Sequence, residues 1–566
     1  MRILNRLKQY QRLYQSTGAH EVTLTVAELA KIFICSERHA RTLVQQLQLE
    51  GWVRWQSQPG RSKRAVLECL ITPEELRKNF LQQLLKSGDH SAALELTQLD
   101  SAHLQTLLSP HMGGQWHADS PTLRIPYYRP LETLNPQTIT GRAEQHLVHS
   151  LFAGLTRFVT GSPEPQPDMA HHWQLSNEGR TWCFFLRSQL HWHNGEDLTA
   201  QQLLLTLQQL RDAPRTEACL RNIAQITLPH ALCLQFDLHE PDYWLAHRLA
   251  DFTCLMAHPD NATLGSGPFR LMTFNERLIR LEQHSYYHLQ HPYLAAIEYW
   301  ITPQIFNQSV GVSCQHPVRI TLGGKEELPL AQPVSRSTSL GFCYLAINLR
   351  RKTLNQQQAQ KVIMLIQRSR LLDNLPIDTN LITPSRDMLP GWQIPEQQVD
   401  DISLPKKLTL LYHPPLELEA VTQALQQLLA AEGCQLEIIY HPGKLWMGAE
   451  QVDTVDLLLG DRLIGEAPEA TLENWLRQDP LWQGILPPGA WEHLQSTLLD
   501  IQQIEDALLR SASLQHYFEG LMQNGLITPL FNYQYQVSAP PRVNGVQLTA
   551  WGWFDFSQAW IPPPLE

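Results

Sequence analysis

The sequence predicts an α/β multidomain chain in three parts: a small basic helical head, a helical connector and a large acidic body. Three observations predict it. Of the 566 residues 43% are hydrophobic and 17% charged, which supplies several apolar cores without the bias of a disordered or coiled-coil chain. Residues 1–70 carry eleven Lys/Arg against five Asp/Glu, a net +6, and the remainder carries 33 against 50, a net −17. The head alone is therefore suited to a polyanion. From Thr122 onward, short β-prone runs alternate with helices, whereas the earlier part is mainly helical in its spacing.

Composition excludes several classes of function. No apolar run approaches the roughly 18 residues of a membrane span, so no membrane partner is expected. Nine cysteines, an odd number with no CxxC pair, exclude a disulfide-dense secreted scaffold and a sequence-local zinc finger, and fit a reducing compartment. Arg2, Arg6, Lys8 and Arg12 interrupt any apolar h-region. The first residues read instead as an amphipathic helix carrying Ile3, Leu4, Leu7, Tyr10, Leu13 and Tyr14. No GxxxxGK[ST], HExxH, GxSxG or helix-opening GxGxxG occurs, so no catalytic residue, enzyme activity or cofactor is expected.

In the head, Thr25 with Glu28 is a capping-box signature that opens a helix bearing Val26, Leu29, Ala30 and Phe33. Ser36 can cap a second helix running to about Glu50, whose apolar stripe is Ala40, Leu43, Val44 and Leu47. Its outward face shows Arg38, Arg41, Thr42 and Gln45, with His39 on the flank. Gly51 ends the helix, and two β-prone runs flank Pro59-Gly60 as a hairpin tipped by Arg61, Lys63 and Arg64. Three helices and a basic hairpin make a winged helix-turn-helix over residues 1–71, whose reading helix enters the DNA major groove. The expected partner is double-stranded operator DNA. The expected contacts are Ser36, Arg38, His39, Arg41, Thr42 and Gln45, with Arg61, Lys63 and Arg64 on phosphates.

Residues 72–115 read as a helical connector opened by Thr72-Pro73-Glu74-Glu75, either a spacer or an interdomain helix. In the body, Thr199 can cap the helix beginning QQLLL, and Gly265, Gly267 and Pro268 suit a turn with close backbone approach. His191-x-His193 has no carboxylate or cysteine at ligand spacing, so no metal site is expected. LTLLYHPPLELEAVTQALQQLLAAEGCQLEIIYH reads as a βαβ unit with parallel strands.

Three blocks of the body resemble the solute-binding proteins of the peptide/nickel transporter class, family 5. They are TLRIPYYRPLETLNPQT with LVHSLFAGLTRF, then PDMAHHWQLSNEGRTWCFFLRSQLHWHNGEDLTAQQLLLTLQQL, then LGSGPFRLMTF with LEQHSYYHLQHPYLAAIEYWITP. The resemblance implies a two-lobed, type II periplasmic-binding-protein-like ligand domain: lobe one over 116–335 and 490–566, lobe two over 336–489. It implies a cleft that takes a small polar ligand, with Tyr127, Tyr128 and Arg129 at the end of the first strand, Tyr344 and Asn348 at the crossover, and Asp461 with Arg462 on the far lobe. Peptide-binding members keep an Asp four residues after a Gly. Here Gly460 and Pro468 hold that frame and Ile464 stands at the Asp position, which points away from a peptide amine.

With MRILNRLKQYQRLY and CSERHARTLVQQLQLEGWVRW in front, the whole chain is similar to the SgrR-type regulators. That implies a cytoplasmic transcriptional regulator sensing a small metabolite, a sugar phosphate being one candidate. The alternative is the solute-binding component of an ABC-type peptide or oligosaccharide uptake system.

Overall fold

A computed structural model describes residues 2–56, 64–86, 92–93, 96, 108–117, 119–127, 129–139, 141–303, 333–369, 371, 375, 382–384, 387–392, 395–397, 402–413, 417–441, 446, 448–538, 542–547, 549 and 555–564. The head runs α1 (Arg2–Thr17), β1 (Val22–Leu24), α2 (Val26–Phe33), α3 (Glu37–Leu49), β2 (Val53–Gln56) and β3 (Ala65–Cys69). Local chemistry sets these boundaries. Thr25 N–H donates to Glu28 Oε2 at 2.7 Å and Glu28 N–H to Thr25 Oγ1 at 3.2 Å, closing the capping box. His39 N–H donates to Ser36 Oγ at 3.3 Å, and Gly51 at φ +76° stops α3. The strands form a small antiparallel sheet in the order β1-β3-β2, the wing of the head. Arg61 and Lys63, expected on phosphates, lie outside the described residues.

The connector is more than a spacer. Thr72 and Glu75 exchange a second capping box that opens α4 (Pro73–Lys86). Leu76, Leu81, Leu108 and Met112 then join Leu7, Tyr10, Phe33, Leu47 and Trp52 in one buried cluster. That cluster also holds Leu278 and Trp300 of the body, so the head's core continues into lobe one.

Lobe one is built on β4 (Gly113–His117), β5 (Ser120–Tyr127), α5 (Arg142–Leu151), the ribbon β6 (Thr156–Val159) and β7 (Ser162–Pro167), and β8 (Ala170–Ser176) with β9 (Thr181–Leu186). It continues through α6 (Ala200–Arg211), β10 (Ile223–His230), β11 (Cys233–Leu238), α7 (Leu245–Leu249), β12 (Phe269–Phe274), β13 (Leu278–Gln283) and β14 (Ala296–Ile301). Its main sheet has the order β12-β13-β14-β5-β4, with β14 and β5 parallel. Strand alternation divides its faces. Leu123, Ile125, Tyr127, Ile297 and Tyr299 pack with α5, while Trp300 on the other face packs with the connector. On that connector side Arg124 Nε donates to Glu298 Oε2 at 2.9 Å, both side chains at most 2% exposed, and Trp300 Nε1 donates to the same oxygen at 3.0 Å. Helix α5 and the connector with the head thus sit on opposite faces of one sheet. A second sheet, β10-β11-β9-β8, packs on α6, which opens with the expected Thr199 cap. At Gly265 and Gly267 an added Cβ would fall 2.1 and 2.6 Å from Leu151 backbone atoms, the close approach the turn requires.

Lobe two carries β15 (Pro333–Ile347), α8 (Gln356–Ser369), β16 (Ile382–Pro384), β17 (Lys407–Tyr412), α9 (Glu417–Ala431), β18 (Gln435–Tyr440), β19 (Leu457–Leu463), α10 (Pro468–Gln478), α11 (Pro488–Gln502), α12 (Ala507–Gln523) and β20 (Ile527–Ser538). Its sheet order is β16-β20-β15-β19-β17-β18, and β17-α9-β18 is the expected parallel βαβ unit. Two expected boundaries move. The chain does not return to lobe one at 490: Leu494, Leu498, Phe518 and Met522 fill the core of lobe two, and β20 pairs with β15. Lobe one is rejoined only near Val543, which packs with Val546, Phe556 and Ile561 on the first sheet. At its other end lobe one already begins at Gly113, because β4 pairs with β5 from that residue. In both cases an apolar face is completed by residues that local sequence could not assign to a lobe.

Candidate DNA interface and ligand cleft

On α3 the packing separates two faces. Ala40, Leu43, Val44 and Leu47 are buried, and Ser36, Arg38, His39, Arg41, Thr42 and Gln45 are exposed. The Thr42 hydroxyl donates back to Arg38 O at 3.2 Å, which leaves its lone pairs outward as acceptors. Three other arginines of the head differ from those of α3. Arg6 pairs with Glu50, Arg54 with Glu68 at 2.6 Å, and Arg64 with Glu28 at 3.7 Å. Arg38 and Arg41 make no ion pair with any described residue. Arg64, expected on a phosphate, is exposed beside Glu28 and would exchange that carboxylate for one.

Between the lobes lie two adjoining chambers of about 250 and 310 Å³ that share Gln145, Asp251, Phe252, Leu463 and Thr471. Asp461 and Arg462 line the second, as expected. Asp461 Oδ1 is 3.9 Å from His413 Nδ1, with the Asp461 side chain 2% exposed. The Arg462 guanidinium lies 5.8 Å over the Trp475 ring and 3.7 Å from Asp479 Oδ2. Burial pushes the Asp479 carboxyl up, against the pull of Arg462. From lobe one, Arg215 stacks 5.0 Å over Phe252 and donates to Ile139 O at 2.7 Å. The first chamber adds His146, His149, Asp168, Tyr287 and Asp555. Burial drives the His146 imidazole down to about 3, so it is neutral at physiological pH. Three arginines (Arg157, Arg215, Arg462) thus face six carboxylates (Asp168, Asp251, Asp461, Asp479, Asp555, Glu466).

Four other expected ligand residues do not face this cleft. Tyr127 is a core residue edge-on to Tyr299 at 5.9 Å, because the alternation that buries Leu123 and Ile125 buries it too. Arg129 is committed to a two-pronged ion pair with buried Glu144, at 2.6 and 3.0 Å. Tyr344 sits behind Trp446, whose Nε1 donates to its hydroxyl at 3.2 Å. Asn348 spends its amide on Val455 O and Val452 O, at 2.9 and 3.2 Å. Tyr128 lies outside the described residues. The inference drawn from Ile464 is also corrected: that side chain is in the core of lobe two, and Asp461 supplies the cleft with a carboxylate. The missed residues Gln145 and His149 stand four apart on α5, a polar pair on one helix face that the sequence could have flagged. Arg215 and Asp251 carry no such signal. Among the described residues no cluster of metal-ligating side chains occurs, and no helix is long and apolar enough to cross a membrane.

Residues 5–119 match the family model described as sugar transport-related sRNA regulator N-term, and residues 164–408 that of bacterial extracellular solute-binding proteins, family 5 middle. The chain is 52% identical over 567 residues to YbaE of Escherichia coli (strain K12), covering 100% of both. It is 28% identical over 571 residues to the HTH-type transcriptional regulator SgrR of Yersinia pestis (strain Pestoides F), covering 98% of each. Among solved structures, the ABC transporter-associated periplasmic binding protein DppA of Helicobacter pylori, in complex with peptide STSA, superposes with a TM-score of 0.64 at 15% identity, over 78% of this chain and 98% of that one. At that identity the likeness speaks for the fold, and the body has the two-lobed type II architecture behind a winged-helix head.

Proposed function

The chain belongs to the SgrR-type family of transcriptional regulators, and we propose that it acts as one in the cytoplasm, its head binding operator DNA under the control of a small polar ligand held between the lobes. One observation carries this reading. Arg6, Arg54 and Arg64 of the head are paired with glutamates, while Arg38 and Arg41 on the outward face of α3 make no ion pair with any described residue and offer their charge to a partner of opposite sign. The eight cysteines among the described residues are free, which goes with a reducing compartment.

The excess of carboxylates in the cleft bears on the ligand. A sugar phosphate would bring its dianion beside Asp251, Asp461 and Asp479. An ammonium group or a set of hydroxyls meets those carboxylates more favourably, with Arg215 and Arg462 left for a single carboxylate or hydroxyl. The cleft serves binding rather than turnover in this reading.

The test is selection of duplexes from a randomised DNA library by the full-length chain, followed by affinity measurement at two salt concentrations. An enriched motif whose binding weakens steeply with salt supports the reading. No enrichment, with affinity indifferent to sequence, refutes it.

A further inference from the structure

The turn of the DNA-reading motif holds a residue that the fold does not explain. Ile34 closes α2 at φ +53°, ψ +52°, the left-handed region that a β-branched side chain enters only under steric strain. Cys35 N–H donates to Ala30 O at 3.0 Å and Ile34 N–H to Lys31 O at 3.2 Å, a helix stop in which glycine is the usual residue. Six non-glycine residues among those described have positive φ, and Ile34 is the one that is β-branched. Burial does not compensate the strain. The side chain is 75% exposed, while Phe33 before it is fully buried and Cys35 after it packs against the head's core.

We propose that Ile34 is a specificity-determining DNA contact that seats on the C5-methyl group of a thymine in the major groove. The inference rests on the reading of the head as DNA-binding. Ile34 stands two residues before Ser36, the cap of α3, at the end of the reading helix that leads into the groove. From Glu37 to Gln48 the exposed side chains of α3 are polar and suit hydrogen-bonding base edges, and the exposed Leu49 lies at the far end of the helix, away from the Ser36 cap. The thymine methyl is the one major-groove feature read by apolar contact. Withdrawal of both apolar groups from water on binding supplies the compensation that the free protein lacks.

The test uses the full-length chain and its selected duplex. Wild type, Ile34→Gly, Ile34→Asn, Ile34→Val and Arg41→Ala are compared on that duplex and on copies in which single thymines are replaced by uracil, which removes only the methyl group. Ile34→Gly and Ile34→Asn, both tolerant of the left-handed backbone, should weaken binding by about tenfold. Amide-exchange protection of α1–α3 should stay unchanged or rise in both. Ile34→Val should keep most of the affinity. Uracil at one position should weaken wild type about three- to tenfold and leave Ile34→Gly unaffected. Wild-type affinity in Ile34→Gly and Ile34→Asn beside a loss in Arg41→Ala overturns the assignment while sparing the DNA reading. Reduced protection in Ile34→Gly, or no thymine position at which wild type and variant differ, also overturns it. Unchanged binding in Arg41→Ala as well overturns both.

Discussion

Arg248 and Glu473, 225 residues apart in sequence, form a bidentate ion pair across the two lobes at 2.6 and 3.0 Å, with side chains 2% and 1% exposed. Asp242 accepts from Arg248 Nε at 2.9 Å, and Arg477 Nε donates to Glu473 Oε1 at 2.9 Å, so two charges of each sign balance in a buried chain. Trp244, from lobe one, packs into the core of lobe two beside them. Asn474, next to Glu473, accepts from Arg248 Nη1 at 2.9 Å and lines the second chamber, so this joint borders the cleft.

Glu473→Gln leaves Arg248 and Arg477 with an uncompensated buried charge and should destabilise the chain by about 3–5 kcal/mol in chemical denaturation. Replacing Arg248 and Glu473 together with Met and Leu should cost less than either single change. Burial alone would raise the glutamate, but the two arginines outweigh it and hold it down to about 2. Its folded value is below its unfolded one, so its contribution is complete above about pH 5 and is lost as pH falls toward 2. Single changes that cost no more than the double would contradict this account.

His193 and His284 both donate to Gly267 O, at 3.2 and 3.1 Å, behind the tight turn of lobe one. Burial pushes them down to about 3 and about 4. The unfolded chain takes up these protons near pH 6.5 and the folded one does not, so stability is full above that value and falls as pH drops through 4. His193→Gln should flatten the fall between about pH 6 and 4 by up to about 1.4 kcal/mol per pH unit. An unchanged slope would show that His193 is already protonated in the folded protein.

In the head, Arg41→Ala should cost about 1–3 kcal/mol on the selected duplex and relax preference at one position. Arg64→Ala should weaken all sequences alike and lower the salt slope by about one. Competition binding on variant duplexes separates the two patterns, and a uniform loss in Arg41→Ala would place it on a phosphate.

Thermal-shift screening with sugars, sugar phosphates and short amine-bearing compounds should find its hits among those without a phosphate. Asp461→Asn should then weaken the best hit by about tenfold or more, whereas Tyr127→Phe, in the core of lobe one, should leave its affinity unchanged. A phosphate ester as the best hit would refute the electrostatic reading of the cleft.

Local rules made the head legible. The caps at Thr25, Ser36 and Thr72 and the stripe of α3 depend on residues three or four apart, and the structure follows them. The cleft was less legible because its walls come from both lobes. Tyr127 and Asn348 look like binding residues in isolation, and strand alternation and the Val452 and Val455 carbonyls turn them to structure. Arg248 with Glu473 and Arg124 with Glu298 are joined by topology across 225 and 174 residues, which no local pattern encodes. Ile34 follows no local rule at all, since a glycine would close α2 with less strain.

The central claim is that the cleft and the reading helix are coupled through lobe one, whose main sheet carries the connector on one face and α5 on the other. Coupling between binding sites is reciprocal, so DNA must change ligand affinity by the factor that ligand changes DNA affinity. The direct measurement is titration of the best thermal-shift hit into the full-length chain with and without saturating selected duplex, at one salt concentration. The account predicts a difference of roughly 5- to 150-fold, the same in both directions. Identical ligand affinities with and without DNA would contradict it.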